Sequence, residues 1–130
     1  MILDTNFIID LMNKEDSASK KLDVLLKNQE KLAVTSVTVF ELFSGLAQAE
    51  KKTEEKIKIM NILKSINSIT LDDDCAKMGG QVDGSLIKKG ATIGPLDSMI
   101  AGIALVRNES LLTRNVKHFS RIDNLKVESY

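Results

Sequence analysis

Apolar residues along the chain fall into two rhythms, short runs of two to three and longer helical stretches, and the two alternate from one end to the other. Ile2 and Leu3 are apolar and stop at Asp4, Thr5 and Asn6, residues suited to a strand end and a helix N-cap. Phe7, Ile8, Ile9, Leu11 and Met12 then predict a short buried helix. Over residues 17–28, Ala18, Leu22, Val24, Leu25 and Leu26 keep roughly helical spacing, and 32–34 form a short extended run. Residues 37–50 carry Val37, Phe40, Leu42, Phe43, Leu46 and Ala47, an amphipathic helix, and the charged run 50–56 reads as a solvated connection. A helix over 57–66, a strand at 69–71, a helix cap at 72–74 and a helix over 74–89 follow. The glycines and proline of 90–95 read as a connector to a strongly apolar helix over 96–106. A buried strand at 110–113 and an edge strand at 125–128 complete the pattern.

Short apolar strands alternating with longer helices predict an α/β sandwich, with a short, mostly parallel central sheet and helices on both faces. Ligands in such sheets sit at the carboxyl ends of the strands, where Asp4 and the turn 113–115 both fall. A length of 130 residues fits one domain, 1–130, large enough to bury a core without disulfides or metal staples.

Composition narrows the chemistry. Eighteen basic and eighteen acidic residues leave no net charge, so a nucleic-acid partner must be held by a local patch or a metal. Cys75 and His118 are single, which excludes intrachain disulfides and zinc sites built from several Cys or His, while hard-metal chemistry on carboxylates stays open. No apolar run approaches a membrane span and Asp4 arrives too soon for a signal peptide, so the expected location is cytoplasmic.

Three carboxylates and one amide stand out. Asp4 ends a buried strand, where an ordinary N-cap, supplied by Asp4 or by Asn6, is the alternative to a functional role. Glu41 lies among Val37, Phe40, Leu42 and Phe43, and its spacing from Thr38 also matches a capping box. A carboxylate on so apolar a surface needs a partner. Asp97 follows Pro95 at the start of the apolar helix, a position the helix dipole alone favours. Burying that helix buries its first turn, so Asp97 meets a cation or faces a cleft. Asn115 follows a strand, as turn residues do, and its amide oxygen is a competent neutral ligand.

The order of these segments, Ile2-Leu3-Asp4-Thr5-Asn6, then Val37 to Glu41, then Gly94-Pro95-Leu96-Asp97, then Thr113-Arg114-Asn115 with Phe119 behind, resembles the PIN domain, in particular the VapC-type toxin ribonucleases. The resemblance runs the length of the chain. It implies a PIN-like fold in which Asp4, Glu41 and Asp97 form an acidic pocket for Mg²⁺ or Mn²⁺, with Asn115 at a fourth position that many relatives fill with aspartate. It implies a metal-dependent endoribonuclease, a VapB-type antitoxin as partner and a homodimer. The residue types suit this chemistry, because a hard ion on oxygen ligands can activate water against a phosphodiester. Between 113 and 126, four basic residues oppose one acidic residue, and Arg114 and Lys117, beside Asn115, are the candidate RNA contacts. Two alternatives remain at this stage: a PIN-like fold that binds RNA or protein without cutting, and an RNA-processing nuclease with no antitoxin. His118 has no second histidine to work with, Cys75 reads as core, and Gly79-Gly80 lacks the context of a nucleotide loop.

Overall fold

A computed structural model describes residues 1–130. Five strands, β1 (Ile2–Leu3), β2 (Ala33–Thr35), β3 (Asn67–Ile69), β4 (Leu111–Leu112) and β5 (Val127–Glu128), form one sheet in the order β3-β2-β1-β4-β5. Every neighbouring pair is parallel. Parallel strands need crossover connections, and helices supply them. Helices α1 (Thr5–Met12) and α2 (Asp16–Lys27) join β1 to β2, and α3 (Ser36–Gln48) and α4 (Lys52–Lys64) join β2 to β3. Helices α5 (Asp73–Lys88) and α6 (Pro95–Arg107) lead to β4, and the single turn α7 (Val116–Phe119) leads to β5.

Successive strand residues face opposite sides of a sheet. Ile2 and Leu111 accordingly enter one core with Ile100, Ile103 and Phe119, while Leu3 and Leu112 enter the other with Phe7, Ile8, Val34 and Ile59. Because both faces are covered, strands of only two or three residues are apolar throughout at the centre. Two glycines set the spacing of the second layer. A Cβ on Gly102 would lie 2.5 Å from the Gly79 nitrogen and 2.6 Å from the Cys75 carbonyl oxygen, so α6 rests directly on the backbone of α5.

The chain places β2 and β3 to one side of β1, then returns to lay β4 and β5 on the other. The direction of winding therefore reverses between β1 and β4. That reversal parts the connecting loops at the carboxyl ends of these two strands and leaves a crevice there.

Three segments differ from the sequence reading. The charged run 50–56 is mostly helix, since α4 starts at Lys52 and takes Glu54 and Glu55 into its first turn, where the dipole favours them. Strand β3 lies two residues earlier than the apolar pattern suggests: it is an outer strand whose Asn67 and Ser68 are exposed, and backbone pairing with 33–35 sets its register. The turn α7 is too short to show a periodicity.

Candidate active site

Asp4 leaves β1 in an extended conformation and caps α1. Its Oδ1 accepts the Thr5 amide at 2.8 Å and its Oδ2 accepts the Thr113 hydroxyl at 2.7 Å. The N-cap geometry thus also places Asp4 at the crevice, with the carboxylate almost wholly buried. Thr113 immediately follows β4, so this hydroxyl bond ties together the two strands that flank the crevice. Burial pushes the Asp4 carboxyl up, and the Thr113 and Thr5 bonds pull it partly back.

Glu41 is not a capping residue. Helix α3 is capped by Thr35, whose hydroxyl accepts the Thr38 amide at 3.2 Å, and Glu41 stands in the second turn. There it accepts the Thr5 hydroxyl at 2.8 Å, while the Thr5 and fully buried Thr38 oxygens lie 3.0 Å apart. Desolvation raises the Glu41 carboxyl, the Thr5 bond lowers it, and the charge of Asp4 raises it again.

Asp97 lies in the first turn of α6, behind Gly94 (φ +95°) and Pro95, which fix where the helix begins. Its carboxyl is raised from the ordinary 3.8 to about 6, by burial first and then by the charges of Asp4 and Glu41. The structure therefore brings Asp4, Glu41 and Asp97, from three separate crossovers, into one electrostatic neighbourhood. None of the three takes part in an ion pair. They are not drawn into a finished cage, for no three acidic or imidazole side chains are close enough to hold an ion between them as they stand. The donor set nonetheless suits a hard divalent cation, which takes carboxylate oxygen and fills its remaining positions with water.

Asn115 enters through its backbone: its amide donates to the Thr113 hydroxyl at 3.0 Å, and its carbonyl oxygen accepts the amides of His118 and Phe119. Its side chain makes no hydrogen bond to the three carboxylates. Arg114 is exposed and donates to Asp10 of α1, and Lys117 is exposed on α7 with no partner. Arg121 is occupied elsewhere, donating to the carbonyls of Ala91 and Thr92 in the 90–95 connector. His118 is exposed, and Cys75 is buried in the core, as the sequence suggested for the cysteine. The sequence reading missed the threonine hydroxyls of residues 5, 38 and 113. Their one signal was position, each lying at or near the carboxyl end of a strand.

The PIN domain family matches residues 1–125. Ribonuclease VapC2 of Rickettsia felis is 34% identical over 99% of this chain and 96% of its own length. The tRNA(fMet)-specific endonuclease VapC of Shigella flexneri is 31% identical with the same coverage. Among solved structures, that of VapBC2 from Rickettsia felis, bound to a DNA fragment from the promoter, superposes with a TM-score of 0.90. It is 33% identical and covers 99% of this chain and 97% of that one.

Proposed function

The chain belongs to the PIN domain family, and on that footing we propose that it is a divalent-metal-dependent endoribonuclease of the VapC type, acting as the toxin of a toxin–antitoxin pair. One observation carries the reading: three unpaired carboxylates share the crevice at the winding reversal, where burial first, and then the charges of Asp4 and Glu41, hold Asp97 at about 6. Like charges are gathered in this way where a cation is to be bound. Asp4, Asp97 and Glu41 are the ligands in this proposal, with Mg²⁺ or Mn²⁺ as the ion. When bound, such an ion lowers the pKa of a coordinated water and offsets charge on the scissile phosphate.

The chain's own groups do the remaining work. The Thr113 and Thr5 bonds fix the Asp4 carboxylate, so that a ligand meets it without a search of rotamers. The Thr5 hydroxyl orients Glu41 as ligand or as base for the attacking water. Asn115 adds a neutral oxygen at the fourth position, and Arg114 and Lys117 hold RNA phosphates beside it. The domain is the whole of 1–130.

Similarity to a solved toxin–antitoxin complex supports a VapB-type antitoxin as partner. Exposed Phe40, Phe43, Ile57 and Met60 on α3 and α4 support a homodimer. No helix is long and apolar enough to cross a membrane, and a toxin that cuts RNA works in the cytoplasm. The test is cleavage of total cellular RNA by purified protein with Mg²⁺, Mn²⁺ or EDTA, beside the Asp97→Asn variant. The expected result is cleavage that needs both the metal and Asp97; equal cleavage by the variant, or by wild type in EDTA, would overturn the assignment.

A further inference from the structure

One buried charge is not used by the carboxylate site. Asp10 lies in α1 with only 7% of its surface exposed. Its Oδ2 accepts from two groups far away in sequence, the Arg114 guanidinium just past β4 and the Tyr130 hydroxyl just past β5. The Tyr130 ring stands edge-on to Phe7, with centroids 4.7 Å apart at 79°. The guanidinium carbon of Arg114 lies 5.9 Å from the centre of the same ring. One carboxylate and one aromatic ring thus fix an arginine between them.

The arginine is not consumed by this arrangement. A guanidinium has five N–H donors in a planar fork, and the bond to Asp10 is made through one terminal nitrogen. The Arg114 side chain remains 57% exposed, whereas that of Asp10 is 10% exposed, so the pair is buried on the acid side and open on the basic side. Arg114 also adjoins Thr113, whose hydroxyl holds Asp4. The fork is thus preset at the border of the carboxylate crevice with donors left over. A planar fork with a fixed orientation suits a phosphate, which accepts two parallel N–H bonds.

We propose that Arg114 forms a subsite for an RNA phosphate flanking the scissile one, and that Asp10 and Tyr130 are the positioning residues that hold its guanidinium there. This rests on the ribonuclease reading above, and it extends that reading to two residues that touch neither metal nor scissile bond. Phosphate contact explains why a charge pair is kept at this border, where the acid alone would repel RNA. Holding the side chain in advance spares the entropy of ordering it on binding.

The sign of one substitution separates positioning from simple charge. Asp10→Ala deletes a negative charge, so electrostatics alone would tighten RNA binding. Loss of positioning weakens it. The measurement is fluorescence anisotropy of a fluorescein-labelled tRNA pool in EDTA, where nothing is cleaved, across a salt series. Asp10→Ala is expected to raise Kd about fivefold, and Tyr130→Phe, which alters no charge, about twofold. Arg114→Ala should raise Kd at least as far and lower the salt slope by about 0.7–0.9. In the Arg114→Ala background, Asp10→Ala should weaken binding no further, because there is no guanidinium left to place. A folded Asp10→Ala that binds as tightly as wild type, or tighter, overturns the proposal, as does an Arg114→Ala with unchanged Kd. If Asp10→Ala is unfolded at the assay temperature, wild-type affinity in Tyr130→Phe has the same force. Binding that depends on Arg114 and Asp10 in a protein that cuts no RNA with metal would remove the ribonuclease reading and leave the subsite standing.

Discussion

Replacing Asp97 by asparagine should make the metal-free protein more stable while abolishing its activity. The Asp97 carboxyl is raised from 3.8 to about 6. A folded-state value above the unfolded one means that the folded protein holds the proton more tightly. Stability is then greatest at low pH, falls between about pH 4 and 6, and stays low above. A rise of that size corresponds to about 3 kcal/mol for a charge out of reach of water. Asp97 is only partly buried, and solvent screening brings the cost to about 1–2 kcal/mol. Asparagine escapes that cost and gives up about 0.5 kcal/mol of attraction to the start of α6. The net gain of about 1 kcal/mol raises the melting midpoint by about 3–5 °C for a chain of this size. Thermal unfolding in EDTA at about pH 7.5 should show this gain, and at about pH 4, where Asp97 is protonated in the wild type, the gain should vanish. A midpoint for Asp97→Asn equal to or below wild type at about pH 7.5 would refute the claim that burial and the neighbouring carboxylates together disfavour the Asp97 charge.

Three further outcomes follow from the same geometry. Thr113→Val keeps the shape of a fully buried side chain but removes the donor to Asp4, so denaturant unfolding should show a loss of about 1–3 kcal/mol and cleavage should fall with it. Gly102→Ala forces a methyl group against the α5 backbone at 2.5 Å, and circular dichroism melting should report a loss above about 3 kcal/mol, with most of the protein insoluble. Millimolar Mg²⁺ or Mn²⁺ should raise the melting midpoint of the wild type, by about 2.7 kcal/mol of stability at a hundredfold excess over Kd. That increment should shrink as pH falls through about 6, where protons compete for Asp97, and should be largely absent in Asp97→Asn.

The layered parallel fold was legible because its strands are buried on both faces and so interrupt the helical rhythm as solid apolar runs. Asp4 and Asp97 were legible for a related reason: each is the first polar residue beside a segment too apolar to be exposed. Glu41 was visible as an anomaly in an apolar helix, but the local pattern left a cap and a functional carboxylate equally open, since only the fold brings Thr5 within reach of it. The supporting hydroxyls left no trace beyond their position near strand ends, and the contacts among Asp10, Arg114 and Tyr130 left none. Thr113 meets Asp4 across 109 positions, and Asp10 meets Tyr130 across 120, so no window of sequence contains both partners. The strand β3 was misplaced because its polar residues are recruited by backbone pairing and not by burial.

The pairing of β1 with β4 gives the protein a history as well as a shape. The first strand of the sheet lacks one of its two neighbours until β4 has been made, and Asp4 waits for a hydroxyl encoded 109 residues later. At about 5–20 residues per second, a ribosome needs about 5–20 s to cover that distance. Through this interval Glu41 and then Asp97 join Asp4 in the nascent chain, and Thr113 comes last. Until β4 is made, the Asp4 carboxylate has no Thr113 hydroxyl to hold it and β1 has no partner on that side, so the crevice itself is a late product of the chain.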